Sequence, residues 1–451
     1  MNLYIFKESS CATEYGIGTY IRELTNALRH SNINVCVICL ESDKPQIQIE
    51  ENDGVRFWYF PCIISKQRTT DFKRQRILYY RNIVYLLKLH IKRQEDLIFN
   101  LNHNHSANLA EDLKNAFNCK IVTTVHYLDW YLRLSGNLTR FRQILTKQKT
   151  DQGNELLQDI IHESYLKEKE FFASVDYIIS LSECTQQILQ EDYKIESDKI
   201  LVIYNGLTDN KSVPNKFVLK QKYHIPDIPI ILFVGRLDEI KGLKYALRAF
   251  KIVLEKQPNC HFIIAGNGTF DIYMKECVDI WMNVAFTGMI EKEKLYDLYS
   301  IADVGVIPSL FETFGYVAVE MMMHGLPVVA TATSGLNEVV DDTCGLKIPL
   351  TTLPDKVEID TTLLAQKILY LLQHPAEAQQ MGQEGRKRFL NEYSSEVFRK
   401  NMLNFYNTLF EPMIHDNSKE KEESSTPDIL GYPPMENDQN FLDKSQILLK
   451  S

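Results

Sequence analysis

Two acidic residues in one apolar segment form the densest chemical signal of this sequence. The segment SLFETFGYVAVEMMMHGLPVVAT, residues 309–331, carries Glu312 ahead of a predicted helix and Glu320 eight residues later. The neighbours of Glu320 are apolar, so its carboxylate needs a polar partner, because an unpaired buried charge is costly. Phe314 and Gly315 lie where the helix is predicted to begin, and free backbone amides at that end favour an anion. The segment therefore predicts an anion site flanked by two carboxylates.

A second motif supplies cations. The predicted strand PIILFVG ends at Gly235 and is followed by Arg236 and, five residues further on, by Lys241. Two cations at the carboxyl end of a strand suit a diphosphate, because both form charge-assisted hydrogen bonds with phosphate oxygens. Taken alone, a turn followed by a lysine at the start of a helix explains the same residues.

The two glutamates resemble the hallmark of glycosyltransferase family 4, the retaining nucleotide-sugar transferases with the GT-B fold. In that family two glutamates are separated by seven residues, as Glu312 and Glu320 are here. The resemblance implies that Glu312 holds hydroxyls of the donor sugar and that Glu320 binds the ribose of the nucleotide. It also implies that the backbone near Phe314 and Gly315 faces the diphosphate.

The same resemblance gives the cations a task. Arg236 and Lys241 would neutralise the leaving diphosphate, which other transferases achieve with a divalent metal, and Gly235 would lie against the donor. Negative charge grows on the leaving oxygen in the transition state and must be met by preorganised positive groups. We therefore expect no cofactor and no metal site, with a nucleotide-diphosphate sugar as the donor substrate.

Further cleft residues are implied by the resemblance. Gly16 and Gly18 stand between the first predicted strand and the helix IRELTNALRH, where glycine lets the backbone approach a ligand, although a tight turn explains them equally. His126 follows the strand KIVTTV and would contact the donor sugar, and a structural histidine is the alternative. The loops expected to cradle the nucleotide base contain Gly266, Gly268, Gly288 and Met289.

Three other residues at predicted strand ends are open to more than one interpretation. His103 and His105 follow the strand DLIFNL without an assigned role, and no acidic or thiolate ligand is spaced to complete a zinc site with His126. Glu338 follows the strand PVVAT, where either a polar cleft residue or a helix cap fits.

Short apolar runs alternate with amphipathic stretches, which predicts an α/β protein with parallel sheets. The pattern restarts at PIILFVGRL, so we expect two Rossmann-like domains facing across a central cleft, which is the GT-B architecture. The predicted N-terminal, acceptor-side domain covers 1–207 and is joined by a crossover helix at about 394–411. The predicted donor domain covers 208–393, and the polar segment 412–451 is predicted to be disordered.

Bulk composition restricts the function classes. The 451 residues carry a formal net charge of -9, which argues against a general nucleic-acid binder, because phosphate affinity depends on cationic side chains. The nine cysteines are scattered and suggest a reducing compartment. The sequence starts without a signal-peptide pattern and has no apolar run of bilayer-spanning length, so we expect a soluble cytoplasmic protein.

Two polar insertions have no counterpart in the family motifs. Residues 66–93 hold nine basic residues against the single acid Asp71, and residues 133–160 form the second insertion. The basic stretch is either a solvated helix face or a patch that meets an anionic acceptor or lipid headgroups at a membrane surface. The acceptor therefore stays open between a lipid-linked glycan, a polysaccharide, a small molecule and a peptide.

Together these features predict a retaining glycosyltransferase that moves a hexose-type sugar from a nucleotide-diphosphate sugar to an acceptor hydroxyl. Biosynthesis of a glycan, glycolipid or glycoconjugate is the expected setting. The alternative is a non-catalytic subunit that binds or senses a nucleotide sugar. The presence of all four charged residues, Arg236, Lys241, Glu312 and Glu320, favours catalysis, because a degenerate binding protein would be expected to lose at least one.

Overall fold

The structure is a computed structural model that describes residues 1–8, 16–62, 72–93, 95–103, 107–146, 155–209 and 215–410. The predicted tail at 412–451 and His105 lie outside the described residues.

An eight-stranded sheet organises the N-terminal domain. Its strands are β1 (Asn2–Glu8), β2 (Asn34–Ser42), β3 (Gln48–Asn52), β4 (Val55–Pro61), β5 (Leu97–Leu101), β6 (Cys119–Val125), β7 (Tyr177–Ser180) and β8 (Ile200–Val202). The spatial order is β3-β4-β2-β1-β5-β6-β7-β8, and only the edge pair of β3 and β4 is antiparallel. All five residues of β5 are buried, as expected for a parallel strand covered by helices on both faces.

In the described residues of the N-terminal part, the helices are α1 (Gly16–Leu28), α2 (Phe72–His90), α3 (Ala107–Ala116), α4 (Asp129–Arg133), α5 (Leu138–Leu145), α6 (Glu155–Ser174) and α7 (Glu183–Glu191), followed by a 3₁₀ turn at Ser197–Lys199. The apolar positions of α1 recur at helical spacing and bury Tyr20, Ile21, Leu24 and Leu28 against the sheet.

A six-stranded parallel sheet organises the C-terminal domain. Its strands are β9 (Ile230–Val234), β10 (His261–Ala265), β11 (Val284–Gly288), β12 (Val304–Ile307), β13 (Val328–Thr331) and β14 (Gly345–Ile348), and a separate hairpin pairs β15 (Leu350–Thr352) with β16 (Val357–Ile359). The spatial order is β11-β10-β9-β12-β13-β14. The predicted α/β class with two Rossmann-like domains is confirmed.

The remaining helices follow the second sheet. They are α8 (Lys216–Lys222), α9 (Leu243–Lys256), α10 (Asp271–Glu276), α11 (Lys292–Ile301), α12 (Tyr316–Met323), α13 (Ser334–Val339), α14 (Thr361–Gln373), α15 (Pro375–Arg388) and α16 (Ser395–Thr408). Short 3₁₀ helices lie at Glu239–Lys241 and Trp281–Asn283, and a π-helical segment lies at Phe389–Tyr393. None of the helices in the described part of the chain combines the length and hydropathy of a transmembrane segment.

Each sheet contains one point where the strand order reverses. In the C-terminal sheet this point lies between the neighbours β9 and β12, and in the N-terminal sheet it lies between β1 and β5. Loops that leave neighbouring strands in opposite directions open a crevice at their carboxyl ends, where α/β proteins bind ligands. The topology therefore indicates that ligand-binding residues are to be expected on the loops at these two points.

The last helix returns to the N-terminal domain. The rings of Tyr20 in α1 and Phe398 in α16 lie 6.0 Å apart, and Ser395 N donates to Leu207 O at 2.9 Å. The chain thus passes between the domains twice, once after Asp209 and once after α15. The guanidinium of Arg386 binds both carboxylate oxygens of Asp209, at 2.6 and 2.8 Å, and so ties the two crossings together.

Glu338 joins the domains at another point. Its carboxylate accepts hydrogen bonds from the backbone amides of Glu183 and Cys184, both at 2.8 Å, at the start of α7. The hydroxyl of Tyr204 donates to the same carboxylate at 3.1 Å. Glu338 lies inside α13, whose N-cap is Thr333, so it does not cap its own helix. It caps α7 of the opposite domain instead.

Replacing Glu338 by Ala should lower the free energy of unfolding by about 1–2 kcal/mol, because two amides at a helix N-terminus lose their charged acceptor. Glu338→Gln keeps one acceptor oxygen and should fall between Ala and the parent protein. Urea unfolding of the three proteins measures the effect. Equal stabilities for Glu338→Ala and the parent would contradict this account of the cap.

Candidate active site

An ion pair lies at the strand-order reversal of the C-terminal sheet. Lys241 follows β9 and Glu312 follows β12, and Lys241 Nζ donates to Glu312 Oε1 at 2.6 Å. Ser309 Oγ donates to the same carboxylate oxygen at 2.8 Å. Both charged side chains are largely buried, so their attraction is screened less than at a surface. Two residues that lie 71 positions apart in sequence are thus in direct contact at the cleft.

Glycine at position 242 makes this approach possible. Gly242 has φ +69°, and a Cβ atom there would lie 1.8 Å from the carbonyl oxygen of Pro308. Any other residue would clash with this backbone as well as strain its own. The loop after β9 can therefore pack directly on the loop after β12, which brings Lys241 to Glu312.

The backbone of Glu312 is fixed from both sides by one serine. Glu312 N donates to Ser334 Oγ at 2.9 Å, and that hydroxyl donates in turn to Glu312 O at 2.5 Å. Gly335 N donates to the same carbonyl at 2.9 Å. Ser334 could not be recognised from the sequence, since nothing in its local pattern indicates a contact 22 residues away. Such second contacts hold a binding side chain in place.

Arg236 lies at the same edge but pairs with a different acid. Its Nη2 atom lies 2.9 Å from Asp238 Oδ2. Burial raises the pKa of Asp238, and the positive charges of Arg236 and Lys241 partly offset this increase. Among the described residues, Asp238 Oδ1 has no hydrogen-bond partner. Asp238 was missed by the sequence analysis, although it stands two residues after Arg236 in the same motif.

An aromatic pair brings the N-terminal domain to this cluster. Tyr131 of α4 stacks on Phe311, with ring centroids 4.7 Å apart and planes 15° apart. Burial, followed by the charge of Glu312, raises the pKa of Tyr131 well above its ordinary value. Tyr131 is therefore a neutral phenol beside the charged groups, and its role was not foreseen from sequence.

His126 lies on the N-terminal side of the cleft, at the end of β6, in one defined tautomer. Its Nε2 atom lies 2.9 Å from Asn102 Oδ1. Asn102 Nδ2 already donates to Phe6 O at 3.1 Å and to Asn100 Oδ1 at 2.8 Å, so the amide oxygen faces the imidazole. Nε2 must then carry the proton, which leaves a lone pair on Nδ1 that can accept from a ligand hydroxyl.

The protonation state of His126 follows from its surroundings. Burial, with a smaller contribution from His103, lowers the pKa of His126 to about 3. The backbone oxygen of His126 accepts from Thr313 Oγ1 at 2.8 Å, which links it to the residue after Glu312. A neutral histidine of the N-terminal domain is thus tied to the carboxylate loop of the C-terminal domain.

Glu320 has the polar partner that its apolar surroundings require. It lies one turn into α12, and the hydroxyl of Tyr299 in α11 donates to Glu320 Oε2 at 2.7 Å. Burial raises the pKa of Glu320, against the hydrogen bond from Tyr299 and the charges of Lys292 and Arg22. Tyr299 was not recognised in the sequence, because it precedes Glu320 by 21 residues on another helix.

Unpaired polar atoms surround Glu320. The hydroxyls of Tyr296 and Tyr316 and the Nε2 atom of His324 are buried and have no hydrogen-bond partner within the described ranges. The charge of Glu320 is one of the causes that raise the pKa of both tyrosines. His324 Nδ1 lies 2.9 Å from the backbone oxygen of Glu320. Leaving buried polar groups unpaired is costly, so this cluster is suited to a polar ligand.

The predicted glycine loops lie at the carboxyl edge of the second sheet. Gly266 has φ +151°, and a Cβ atom there would lie 1.8 Å from Gly235 O, so the loops after β10 and β9 touch through glycine. Leu237 and Gly268 form an isolated bridge between the same loops. Met289 follows β11 and is exposed. Gly315 is the residue that precedes α12, and Phe314 before it is buried.

Gly16 and Gly18 are placed differently from the expectation. The helix was predicted from Ile21, but α1 begins at Gly16, so both glycines lie in its first turn. The expected glycine loop after β1 is therefore wrong for these two residues. Amides in a first helical turn lack acceptors within the helix, so the amides of Gly16 and Gly18 need partners from outside it.

His103 belongs to a buried cluster at the end of β1. Glu8 N donates to His103 Nε2 at 3.1 Å, while the Glu8 carboxylate accepts from Arg76 at 2.6 Å and from Tyr80 at 2.7 Å. Burial lowers the pKa of His103, which fits its role as an acceptor. Among the described residues, no group of three His, Cys, Asp or Glu side chains is arranged to hold a metal ion.

Two doubly wound domains, with charged clusters at facing carboxyl edges, define the class of two-domain GT-B transferases. Residues 15–211 match Glycosyltransferase Family 4, and residues 215–388 match Glycosyl transferases group 1. Together the two matches cover most of the chain, which therefore belongs to glycosyltransferase family 4.

Relatives and solved structures agree with this assignment. An uncharacterized glycosyltransferase of Methanocaldococcus jannaschii is 36% identical over 172 residues, which are 36% of this chain and 44% of the relative. The chain spans about two fifths of the length of the first curated relatives it matches. Sucrose-phosphate synthase from Thermosynechococcus elongatus is similar in fold, with a TM-score of 0.69 at 22% identity over 91% of this chain and 99% of that one.

Anabaena HepE in complex with UDP-glucose has the same fold. Its TM-score is 0.65 at 15% identity, over 90% of this chain and 100% of that chain. At these identities the structural likeness shows the GT-B fold alone.

The pKa of His126 leads to a pH prediction. A pKa lowered to about 3 means that the imidazole is neutral above about pH 4, so it should add no limb to a rate profile between pH 5 and 8. His126→Asn should slow turnover about tenfold, the value of one neutral hydrogen bond, without changing the shape of the profile. Rates of both proteins across this range provide the test. A limb near pH 6 in the parent that disappears in His126→Asn would contradict the assigned neutral state.

Proposed function

We propose that this chain transfers a hexose-type sugar from a nucleotide-diphosphate sugar to an acceptor hydroxyl, with retention of configuration and without a metal ion. The contact between Lys241 and Glu312, 2.6 Å long, is the observation that carries the proposal. It joins a cation suited to the leaving diphosphate and a carboxylate suited to sugar hydroxyls. The bond that breaks in such a transfer lies between those two parts of the donor.

Lys241 and Arg236 would receive the leaving group. As the bond from the anomeric carbon to phosphate lengthens, charge grows on the phosphate oxygen, and fixed cations lower that energy without reorganising. Glu312 neutralises Lys241 in the protein alone, so phosphate oxygens and the carboxylate would share the ammonium when the donor binds. Asp238 holds the Arg236 guanidinium at the same edge.

The sugar and the nucleoside would be held by different carboxylates. Glu312, fixed by Ser309 and Ser334, would accept hydrogen bonds from sugar hydroxyls, and His126 Nδ1 would accept another from across the cleft. Glu320 would accept from the ribose hydroxyls, beside the unpaired hydroxyls of Tyr296 and Tyr316. This division supports one donor lying along the edge from β12 to α12.

Retention is proposed from the resemblance to the retaining family-4 transferases, without a covalent intermediate on Glu312. Its Oε1 atom already accepts from Lys241 and Ser309, which favours a binding role over attack on the anomeric carbon. The acceptor hydroxyl would then approach from the face that the phosphate leaves. Its oxygen forms the new bond to the anomeric carbon, and its proton passes to the departing phosphate oxygen.

The donor is expected to be a UDP-sugar. UDP-glucose is the ligand named for the Anabaena neighbour, whose fold this chain shares. The strand-end loops at Gly266 and Met289, which follow β10 and β11, would hold the base.

A donor screen tests the proposal. Purified protein should be stabilised thermally by one of UDP-, GDP-, ADP- or dTDP-sugars and should slowly release that sugar, and Glu320→Ala should lose both effects because the ribose contact is gone. NMR of the sugar released early should show the anomeric configuration of the donor. Stabilisation by a donor without any release of sugar would favour the non-catalytic alternative. No stabilisation and no release with any donor would refute the proposal, and early release of the opposite anomer would exclude retention.

Removing the Lys241 cation tests the leaving-group role. Lys241→Ala should reduce turnover more than tenfold, since one such contact to a developing anion contributes about 2–4 kcal/mol. Lys251→Ala, which removes a lysine from α9 at a surface pair with Asp279, is the matched control and should keep normal turnover. EDTA should leave the parent rate unchanged. Near-normal turnover of Lys241→Ala, or a strict metal requirement, would refute this mechanism.

A further inference from the structure

The outer side of α2 carries a stripe of cationic and apolar side chains. Leu78, Tyr85 and Leu89 are exposed by 49%, 65% and 60%, values unusual for such residues. Exposed basic residues alternate with them at spacings of three and four, so all lie on one side of the helix. We call this stripe the α2 face, and it consists of Arg74, Leu78, Arg81, Tyr85, Lys88 and Leu89.

The charge of this face contrasts with that of the whole chain. Residues 72–93 contain no acidic residue and seven Lys or Arg, whereas the chain carries a net charge of -9. Arg76 points inward to Glu8, and Arg81 lies 3.7 Å from Asp112. On the neighbouring strand, Glu50 pairs with Lys44, and Glu51 stands opposite Arg56. Among the described residues Arg74 and Lys88 have no ion-pair partner, so Asp112 compensates the positive charge of the α2 face only in part.

An apolar groove runs beside the face. It encloses about 310 Å³ between α2 and the edge of the N-terminal sheet, and its walls include Ile47, Phe60, Ile83 and Tyr85. Ile47 and Ile49, on the strand side of the groove, are exposed by 46% and 52%. Exposed apolar surface next to a cationic helix marks an interaction site rather than a solvated face.

We propose that the α2 face docks this protein on the surface of a bilayer that contains anionic lipids. Arg74, Arg81 and Lys88 complement lipid phosphates, while Leu78, Tyr85 and Leu89 enter the boundary between headgroups and acyl chains. Leu78 and Leu89 would add little to a contact with nucleic acid phosphates, which cations alone would satisfy. The interleaved pattern is typical of helices that lie in a membrane interface.

The face adjoins the cleft. The first turns of α2 contact the carboxyl end of β1, where Arg76 and Tyr80 bind Glu8. Because ligand crevices open at the carboxyl ends of strands, a docked α2 would place the edge of the cleft near the lipid surface. Docking itself does not depend on the proposed transfer reaction, so each can fail without the other.

Sedimentation of the full chain with lipid vesicles, without any donor, tests this docking. The protein should bind vesicles that contain phosphatidylglycerol and phosphatidylcholine but not phosphatidylcholine alone, and binding should weaken as salt increases. Two paired variants, Tyr85→Ser with Leu89→Ser and Arg74→Glu with Lys88→Glu, should each reduce binding about fivefold or more, because each removes one of the two contributions.

Matched variants on the C-terminal domain serve as controls. Val278→Ser with Met282→Ser changes two exposed apolar residues, and Lys244→Glu with Lys256→Glu reverses two exposed charges of α9. Both control pairs should bind vesicles as the parent does, and all four paired variants should keep the parent melting temperature. Absence of binding to anionic vesicles, or equal losses in the control and α2 variants, would overturn the proposal.

Discussion

The ion pair between Lys241 and Glu312 is the constraint on which the candidate site depends. It requires two loops from neighbouring strands to touch, and that contact requires Gly242, whose missing side chain leaves room for the carbonyl of Pro308. A carboxylate alone at this position would repel an anionic ligand. Held against an ammonium, the same carboxylate keeps its hydrogen-bonding oxygens while its charge is largely cancelled.

The two glutamates of one motif obtain different properties from different surroundings. Glu312 lies in a loop and is paired with a cation, whereas Glu320 lies on a helix and is bound by the neutral hydroxyl of Tyr299. The raised pKa of Glu320 reflects burial without a direct ionic partner. Identical side chains eight residues apart are thus prepared for different parts of a ligand by their neighbours in space.

The sequence allowed the sheets and the charged motifs to be predicted, because buried parallel strands leave apolar runs and functional loops follow their ends. The partners Tyr299, Asn102 and Ser334 could not be predicted, since each contact depends on packing between distant segments. The start of α1 was misplaced because glycines read locally as a loop, whereas packing of Tyr20 and Leu24 extends the helix back to Gly16. Local sequence patterns thus locate the charged residues of the site, whereas the residues that hold them in place are seen only in the tertiary structure.

The double passage of the chain between the domains restricts how they can move. Two domains joined by a single linker can rotate relative to each other in many directions. Two domains joined by two linkers rotate easily only about the line through both linkers. Arg386 and Asp209 are in direct contact beside the two crossings, so such a line would pass close to this ion pair. A hinge rotation about this line would widen the cleft and move His126 away from Glu312. The contacts within each domain's half of the site would not change.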